Sequence, residues 1–95
     1  MPLAEVARRA PEKTSVREAL GRAYFRNRQF AEAASEFEAV IEAHPGDDYA
    51  HFCLGRALSK TGERDRARHH LALASNLRPE RSDYRLYRDR LRRAS

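Results

Sequence analysis

The tetrad Leu-Gly-Arg-Ala occurs at residues 20–23 and again at residues 54–57, an offset of 34 residues. Three of the four prolines keep the same spacing, at Pro11, Pro45 and Pro79. A fixed period of this length is typical of proteins that stack one supersecondary unit upon the next, because a single unit cannot bury its own apolar face. The chain is therefore predicted to be a short array of stacked units.

Each unit contains two helical patterns, in which apolar residues recur every three or four positions. The two units together predict four amphipathic helices, at residues 15–26, 30–43, 48–61 and 64–77. Pro45 and Gly46 end the second helix of the first unit, because proline cannot continue a helix and glycine relieves the turn. Gly62 separates the two helices of the second unit, and Pro79 follows the last of them.

The two ends of the chain read as fragments of the same unit. Leu3 and Val6 precede two apolar residues of the first unit by one period, so residues 2–10 are predicted to form a second helix without its partner. Residues 82–93 take the place of a first helix, and their arginines suit the polar capping helix that a stacked array needs. The predicted single domain comprises a partial unit (1–13), two repeats (14–47 and 48–81) and the capping helix (82–95).

The residues of each unit resemble the tetratricopeptide repeat, whose signature runs Leu-Gly, a large residue, Ala, a large apolar residue and Pro. The matching residues are Leu20, Gly21, Tyr24, Ala33, Phe37 and Pro45 in the first unit, and Leu54, Gly55, Leu58, Ala67, Leu71 and Pro79 in the second. The resemblance implies an all-α fold, a right-handed α-solenoid of antiparallel helix pairs with two complete units and a flanking helix at each end. It also implies that helices approach closely at Gly21 and Gly55.

Members of the family are usually protein-interaction modules whose first helices line a concave groove. The resemblance therefore implies a non-catalytic adaptor or scaffold that binds a peptide segment of a protein partner. The predicted peptide-binding residues lie on the groove-facing stripe: Arg22, Phe25, Arg26, Tyr49, Phe52, Arg56, Lys60 and Arg90. Arg22, Arg56 and Arg90, the arginine ladder, are one period apart on three stacked helices. Because guanidinium binds carboxylate in a bidentate geometry, an acidic peptide or a free C-terminus is the predicted ligand.

A second interpretation is that the arginine ladder is only a solvated face. The chain contains 17 arginines, and Glu18 stands one helical turn before Arg22, where the two could form a weak surface ion pair. One subtype of the family binds a terminal carboxylate through Lys and Asn at fixed groove positions. Glu18 and Arg22 occupy the first pair of those positions, so that clamp does not carry over to this chain.

The C-terminal segment offers an alternative site, because residues 78–95 carry seven Arg against three acidic residues. Its arginines stand beside Tyr84 and Tyr87, and such a pattern can contact phosphates and stack nucleobases. The arginines in question are Arg85, Arg88, Arg92 and Arg93. The other interpretation, a solvated cap whose tyrosines pack on neighbours such as Leu71, is favoured, and nucleic-acid binding is disfavoured.

Self-association is a third possibility, because arrays of this kind generally need three or more units and this chain has two complete ones. Residues 1–13 would expose apolar surface that a homodimer covers. The alternative is a monomer in which those residues fold back on the array.

The sequence contains no recognisable metal-binding or catalytic motif. His51, Cys53, His69 and His70 fall on different helix faces, so no metal site and no cofactor are predicted. The sequence has no Gly-rich phosphate loop and no recognisable catalytic triad, so no enzyme is predicted. No apolar run approaches the roughly 20 residues of a membrane span, and a single cysteine builds no disulfide framework. A cytoplasmic location is the resulting expectation.

Overall fold

The computed structural model describes residues 14–94, which form five α-helices and, within that range, no strand. The helices are α1 (Thr14–Arg26), α2 (Phe30–Ala43), α3 (Asp48–Lys60), α4 (Arg64–Leu77) and α5 (Ser82–Ala94). Each helix boundary lies within one residue of the predicted one, and the all-α repeat fold is confirmed. The predicted helix at residues 2–10 and the side chain of Arg93 lie outside the described residues.

The helices stack in chain order into an array 42 Å long and 18 Å thick. Each helix packs chiefly on the next one along the chain. Among the first helices of the units, α3 also contacts α1 on one side and α5 on the other. Short turns join the helices, so neighbours run antiparallel. The first helices therefore share one side of the array and α2 and α4 share the other.

The two turns inside the units have the same conformation. Arg28 and Gly62, one period apart, both have positive φ angles, of 61° and 87°. In each turn the following residue donates its N–H five residues back: Gln29 to the carbonyl oxygen of Tyr24 at 2.9 Å, and Glu63 to that of Leu58 at 3.0 Å. This pattern is the Schellman ending of a helix, which turns the chain back on itself.

The helix pairs are held together by side chains that fill the space above two glycines. A Cβ added to Gly21 would lie 2.7 Å from the ring of Phe37 on α2. A Cβ on Gly55 would lie 2.7 Å from Cγ of Leu71 and 3.2 Å from the carbonyl oxygen of Ala67 on α4. The close approach predicted for both glycines is therefore present in both units.

A second bridge links the two helices of each unit, through different chemistry. In the first unit Arg17 of α1 donates to Glu36 of α2 at 2.9 Å. One period later the same two positions hold His51 and His70, whose Nδ1 atoms are 2.9 Å apart. His51 is 4% exposed, and its Nε2 lies 2.8 Å from the carbonyl oxygen of Pro45.

These contacts determine where the protons of the histidine pair reside. A carbonyl oxygen only accepts, so Nε2 of His51 carries hydrogen and its Nδ1 is the acceptor for the N–H of His70. Burial is the main cause that lowers the pKa of His70 to about 4, and the neighbouring His51, His69 and Arg66 contribute to the same shift. His70 therefore bridges α4 to α3 in its neutral form.

Substituting Gly55 by Ala is expected to lower the free energy of unfolding by about 2 kcal/mol, because the new methyl group must displace Leu71 and the backbone of α4. Chemical denaturation with urea measures the change. Gly46→Ala is the matched control, since a Cβ there meets nothing within 4 Å. Equal stabilities of the two variants would contradict the close-packing interpretation.

The histidine pair predicts that stability falls as the pH drops. A base whose pKa is lower in the folded state binds protons more readily when unfolded, so its stabilising contribution is complete above 6.5 and is lost towards 4. His70→Gln should flatten this pH dependence in urea titrations between those values. His44→Gln, at an exposed histidine, should retain the slope of the unsubstituted protein, and a slope unchanged in His70→Gln would contradict the prediction.

Candidate functional site

Two adjoining pockets lie along the side formed by α1, α3 and α5, and we call them together the groove. The first pocket, of about 160 Å³, is lined by Arg22, Phe25, Arg26, Phe37, Tyr49, Cys53 and Arg56. The second, of about 230 Å³, is lined by Arg56, Ser59, Leu71, Tyr87, Arg90 and Leu91. Arg56 belongs to both pockets, and neither is lined by an acidic side chain.

Arg56 lies at the centre of the groove between aromatic rings from both neighbouring first helices. Its guanidinium carbon is 4.8 Å from the ring centroid of Phe25 on α1 and 4.8 Å from that of Tyr87 on α5. The ring of Phe52, on its own helix, is 5.8 Å away. Stacking of this kind attracts a cation to the face of the ring and restricts the guanidinium to one plane.

The other two members of the arginine ladder also rest on aromatic rings. The guanidinium carbon of Arg22 is 5.9 Å from the ring centroid of Tyr49, and that of Arg90 is 5.3 Å from that of Tyr87. Both arginines are exposed, whereas Arg56 is half-buried. The aromatic side chains thus give the three guanidiniums a shared supporting surface.

The groove arginines differ from the other arginines in their partners. Among the residues that the structure describes, Arg22, Arg26, Arg56 and Arg90 form no ion pair. Six of the described arginines elsewhere are paired with carboxylates: Arg17 with Glu36, Arg66 with Glu38 and Glu63, Arg68 with Asp65, Arg78 with Asp48 and Glu80, Arg81 with Asp83, and Arg88 with Asp89. Arg28, Arg64 and Arg85 are not paired with any described carboxylate. The positive charge of the groove is therefore not neutralised within the described chain.

Glu18, the expected partner of Arg22, forms no ion pair with it among the described residues. Burial, followed by the nearby Asp47 carboxylate, raises the pKa of Glu18 to about 7, and Arg22 opposes this rise. Asp47 accepts the N–H of Ala50 at 3.0 Å and so caps α3. A partly protonated Glu18 is a poor counter-ion for Arg22.

Two of the eight predicted site residues fall outside the groove surface. Phe52 is 6% exposed, and its ring packs on those of Tyr84 and Tyr87 at centroid distances of 4.6 and 5.3 Å. It supports Arg56 from beneath and presents almost no surface to a ligand. Lys60 is exposed but lines neither pocket. The remaining six line one pocket or the other.

Six residues that line the groove were not among the predicted ones, and two of them, Cys53 and Tyr87, are one period apart. Their common repeat position was the signal that could have found them. Burial raises the pKa of the Cys53 thiol to about 11, so it lines the first pocket as an uncharged group. Among the described residues, no three His, Cys, Asp or Glu side chains are arranged to hold a metal ion.

Comparison with known proteins identifies the family. The family model for the tetratricopeptide repeat matches residues 24–91, which is most of the chain. The chain therefore belongs to the tetratricopeptide repeat family, which is generally a non-catalytic protein-interaction fold. A search of the curated proteins finds no match.

Solved structures have the same fold. The first TPR of Spaghetti (RPAP3), bound to the HSP90 peptide SRMEEVD, superposes with a TM-score of 0.91 at 17% identity, covering 97% of this chain and 73% of that one. MamA from Desulfovibrio magneticus RS-1 superposes at 0.87 with 22% identity, covering 94% and 50%. MamA AMB-1 superposes at 0.77 with 29% identity, covering 86% and 45%. This chain thus spans about half the length of the MamA chains.

Replacing Glu18 by Gln is expected to raise stability at neutral and higher pH. An acid whose pKa is raised from 4.5 to about 7 by folding stabilises the fold only while it is protonated, so stability falls as the pH rises through this range. The variant should be more stable than the parent above pH 7 and similar to it below 4.5. Urea titrations measure the difference; Glu32→Gln, at an exposed position on α2, is the control. A Glu18→Gln effect independent of pH would contradict the prediction.

Proposed function

We propose that this protein is a non-catalytic adaptor that binds an acidic peptide segment of a protein partner along the groove. The observation that carries the proposal is the contrast between the arginines. Six of the described arginines outside the groove are paired with carboxylates of the chain, whereas none of the four in the groove forms an ion pair with any described residue. Carboxylates from a partner would pair with the groove arginines, as the chain's own carboxylates pair with arginines outside the groove.

The chemistry of the groove suits an extended acidic peptide. The ladder arginines come from α1, α3 and α5, the first helices of consecutive units. A peptide that crosses these three helices therefore meets a guanidinium on each. A carboxylate accepts two parallel N–H bonds from guanidinium, and such charge-assisted bonds are among the stronger polar contacts in proteins. Apolar ligand side chains would contact the aromatic rings between the arginines.

The Spaghetti structure offers a parallel and a difference. Its bound peptide, SRMEEVD, contains two glutamates and an aspartate, which supports acidic-peptide recognition on this fold. The Lys and Asn of the terminal-carboxylate clamp are absent from the first pair of matching positions, where this chain has Glu18 and Arg22. The proposal is therefore acidic side chains along the ladder, with chaperone tails not favoured.

The alternative of nucleic-acid contact through α5 has little support. Tyr84 is 0% exposed, and its hydroxyl donates to Asp48 on α3 at 2.7 Å, so its ring offers no face to a base. Arg81 is held by Asp83, and Arg88 donates to Ser75 and Asp89. These contacts support the interpretation of α5 as a capping helix.

Two further predictions stay open to measurement. The homodimer would be formed through residues 1–13, which lie outside the described range, and sedimentation equilibrium distinguishes it from a monomer by mass. The cytoplasmic location is likewise a prediction. Among the described helices, none is both long and apolar enough to cross a membrane.

Charge reversal in the groove should abolish capture of the partner. The double variant Arg22→Glu/Arg90→Glu changes two exposed groove arginines and places like charges against an acidic peptide, which opposes binding. A nuclease-treated lysate of the source cell is passed over the immobilised protein, and retained proteins are identified by mass spectrometry. A partner held by the unsubstituted protein is expected to be lost by the variant.

The matched control is Arg28→Glu/Arg64→Glu, which makes the same change in net charge at two exposed arginines outside the groove that form no ion pair with described residues. Circular dichroism checks that both variants retain their helices. Retention of the partner by both variants, or its loss from both, would contradict recognition through the groove.

A further inference from the structure

We propose that the junction of the two pockets is a subsite for the phosphate group of a phosphorylated side chain, with Arg56 as its central ligand. This inference rests on the proposed peptide-binding groove and specifies the class of peptide that the groove prefers. The charge of the lining, the setting of Arg56 and the origin of the arginines on three helices support it.

The lining carries more positive charge than a single carboxylate can neutralise. Four arginines line the two pockets, and no acidic side chain does. Glu18, the acidic residue nearest in sequence to the ladder on α1, has its pKa raised by burial and by Asp47, so it neutralises little of this charge. A phosphate monoester carries a charge of about −1.5 to −2 at neutral pH and therefore matches the excess better than a carboxylate does.

Arg56 is already arranged to receive an oxyanion. Its guanidinium carbon lies over the rings of Phe25 and Tyr87, 4.8 Å from each ring centroid. Its N–H groups point outward from the edge of the guanidinium plane and form no ion pair within the described chain. Because the side chain is half-buried and held by stacking, little conformational entropy is lost on binding, and reduced solvation strengthens the attraction.

The arginines approach this junction from three helices. Arg22 and Arg26 of α1 share the first pocket with Arg56, and Arg90 of α5 shares the second. A carboxylate presents two oxygens in one plane, whereas a phosphate monoester presents three oxygens arranged around phosphorus. Guanidiniums that line one pocket from two helices are thus satisfied more fully by phosphate than by carboxylate.

A phosphorylated peptide fits this surface better than a nucleic acid does. Sequence-tolerant binding of single strands depends on aromatic faces on which bases stack. Here the rings of Tyr49, Phe25 and Tyr87 lie beneath arginines, and Phe52 is 6% exposed. The groove therefore offers anion contacts and small pockets for side chains, and it lacks a free stacking surface.

Three fluorescein-labelled peptide pools test the proposal. Each has the same degenerate flanking positions, and the central residue is phosphoserine, glutamate or serine. Fluorescence anisotropy is expected to give an affinity for the phosphoserine pool about tenfold higher than for the glutamate pool, and still lower affinity for serine. Arg56→Lys, which keeps the charge and removes the planar fork, should reduce this preference to about twofold.

Arg64→Lys, at an exposed position outside the groove, is the matched control and should keep the full preference. If Arg56→Lys does not fold by circular dichroism, Arg90→Lys replaces it, because Arg90 is exposed. Equal affinities for phosphoserine and glutamate pools would overturn the phosphate subsite while leaving the acidic-peptide groove intact. Binding of none of the pools would count against both. A preference kept in Arg56→Lys and Arg90→Lys would overturn the assignment of the residues.

Discussion

The close contact between helices at Gly21 and Gly55 is the constraint on which the rest of the structure depends. Phe37 and Leu71 occupy the volume that a side chain would take at these glycines, so the two helices of each unit pack at the same short distance. Units with the same internal packing stack in register, and positions one period apart come to the same side of the array. The alignment of the ladder arginines is a consequence of this packing.

Helix α5 lacks the Leu-Gly pair of the other first helices and still completes the groove. Arg88 and Asp89 stand in place of the Leu-Gly pair. Arg88 donates hydrogen bonds to Asp89 and to Ser75 on α4, so α5 does not need the close helix contact that the glycines allow in the other pairs. Tyr84 is buried against Phe52 and bonded to Asp48, which fixes α5 on α3. With α5 held in this way, Tyr87 forms one wall of the groove.

Periodicity was sufficient to predict the helices but not every contact of their side chains. The boundaries follow from turn residues and apolar spacing, which recur in both units. The burial of Phe52 does not follow from the period, because its repeat equivalents are Glu18 and Leu86. Phe52 is covered by Tyr84 and Tyr87, and α1 and α3 have no tyrosine at the equivalent positions. The His51–His70 pair was also missed, because its counterpart in the first unit is an ion pair of unrelated side chains.

The distribution of acidic residues decides the character of the groove as much as the arginines do. Carboxylates cap α3, bind Tyr84 and pair with arginines on the outer face, and all of these positions are away from the two pockets. Burial beside Asp47 favours the neutral form of Glu18, which could otherwise have neutralised the ladder. This separation of charge leaves the groove cationic and its aromatic support intact, and these two properties are the physical basis on which we propose an anionic ligand.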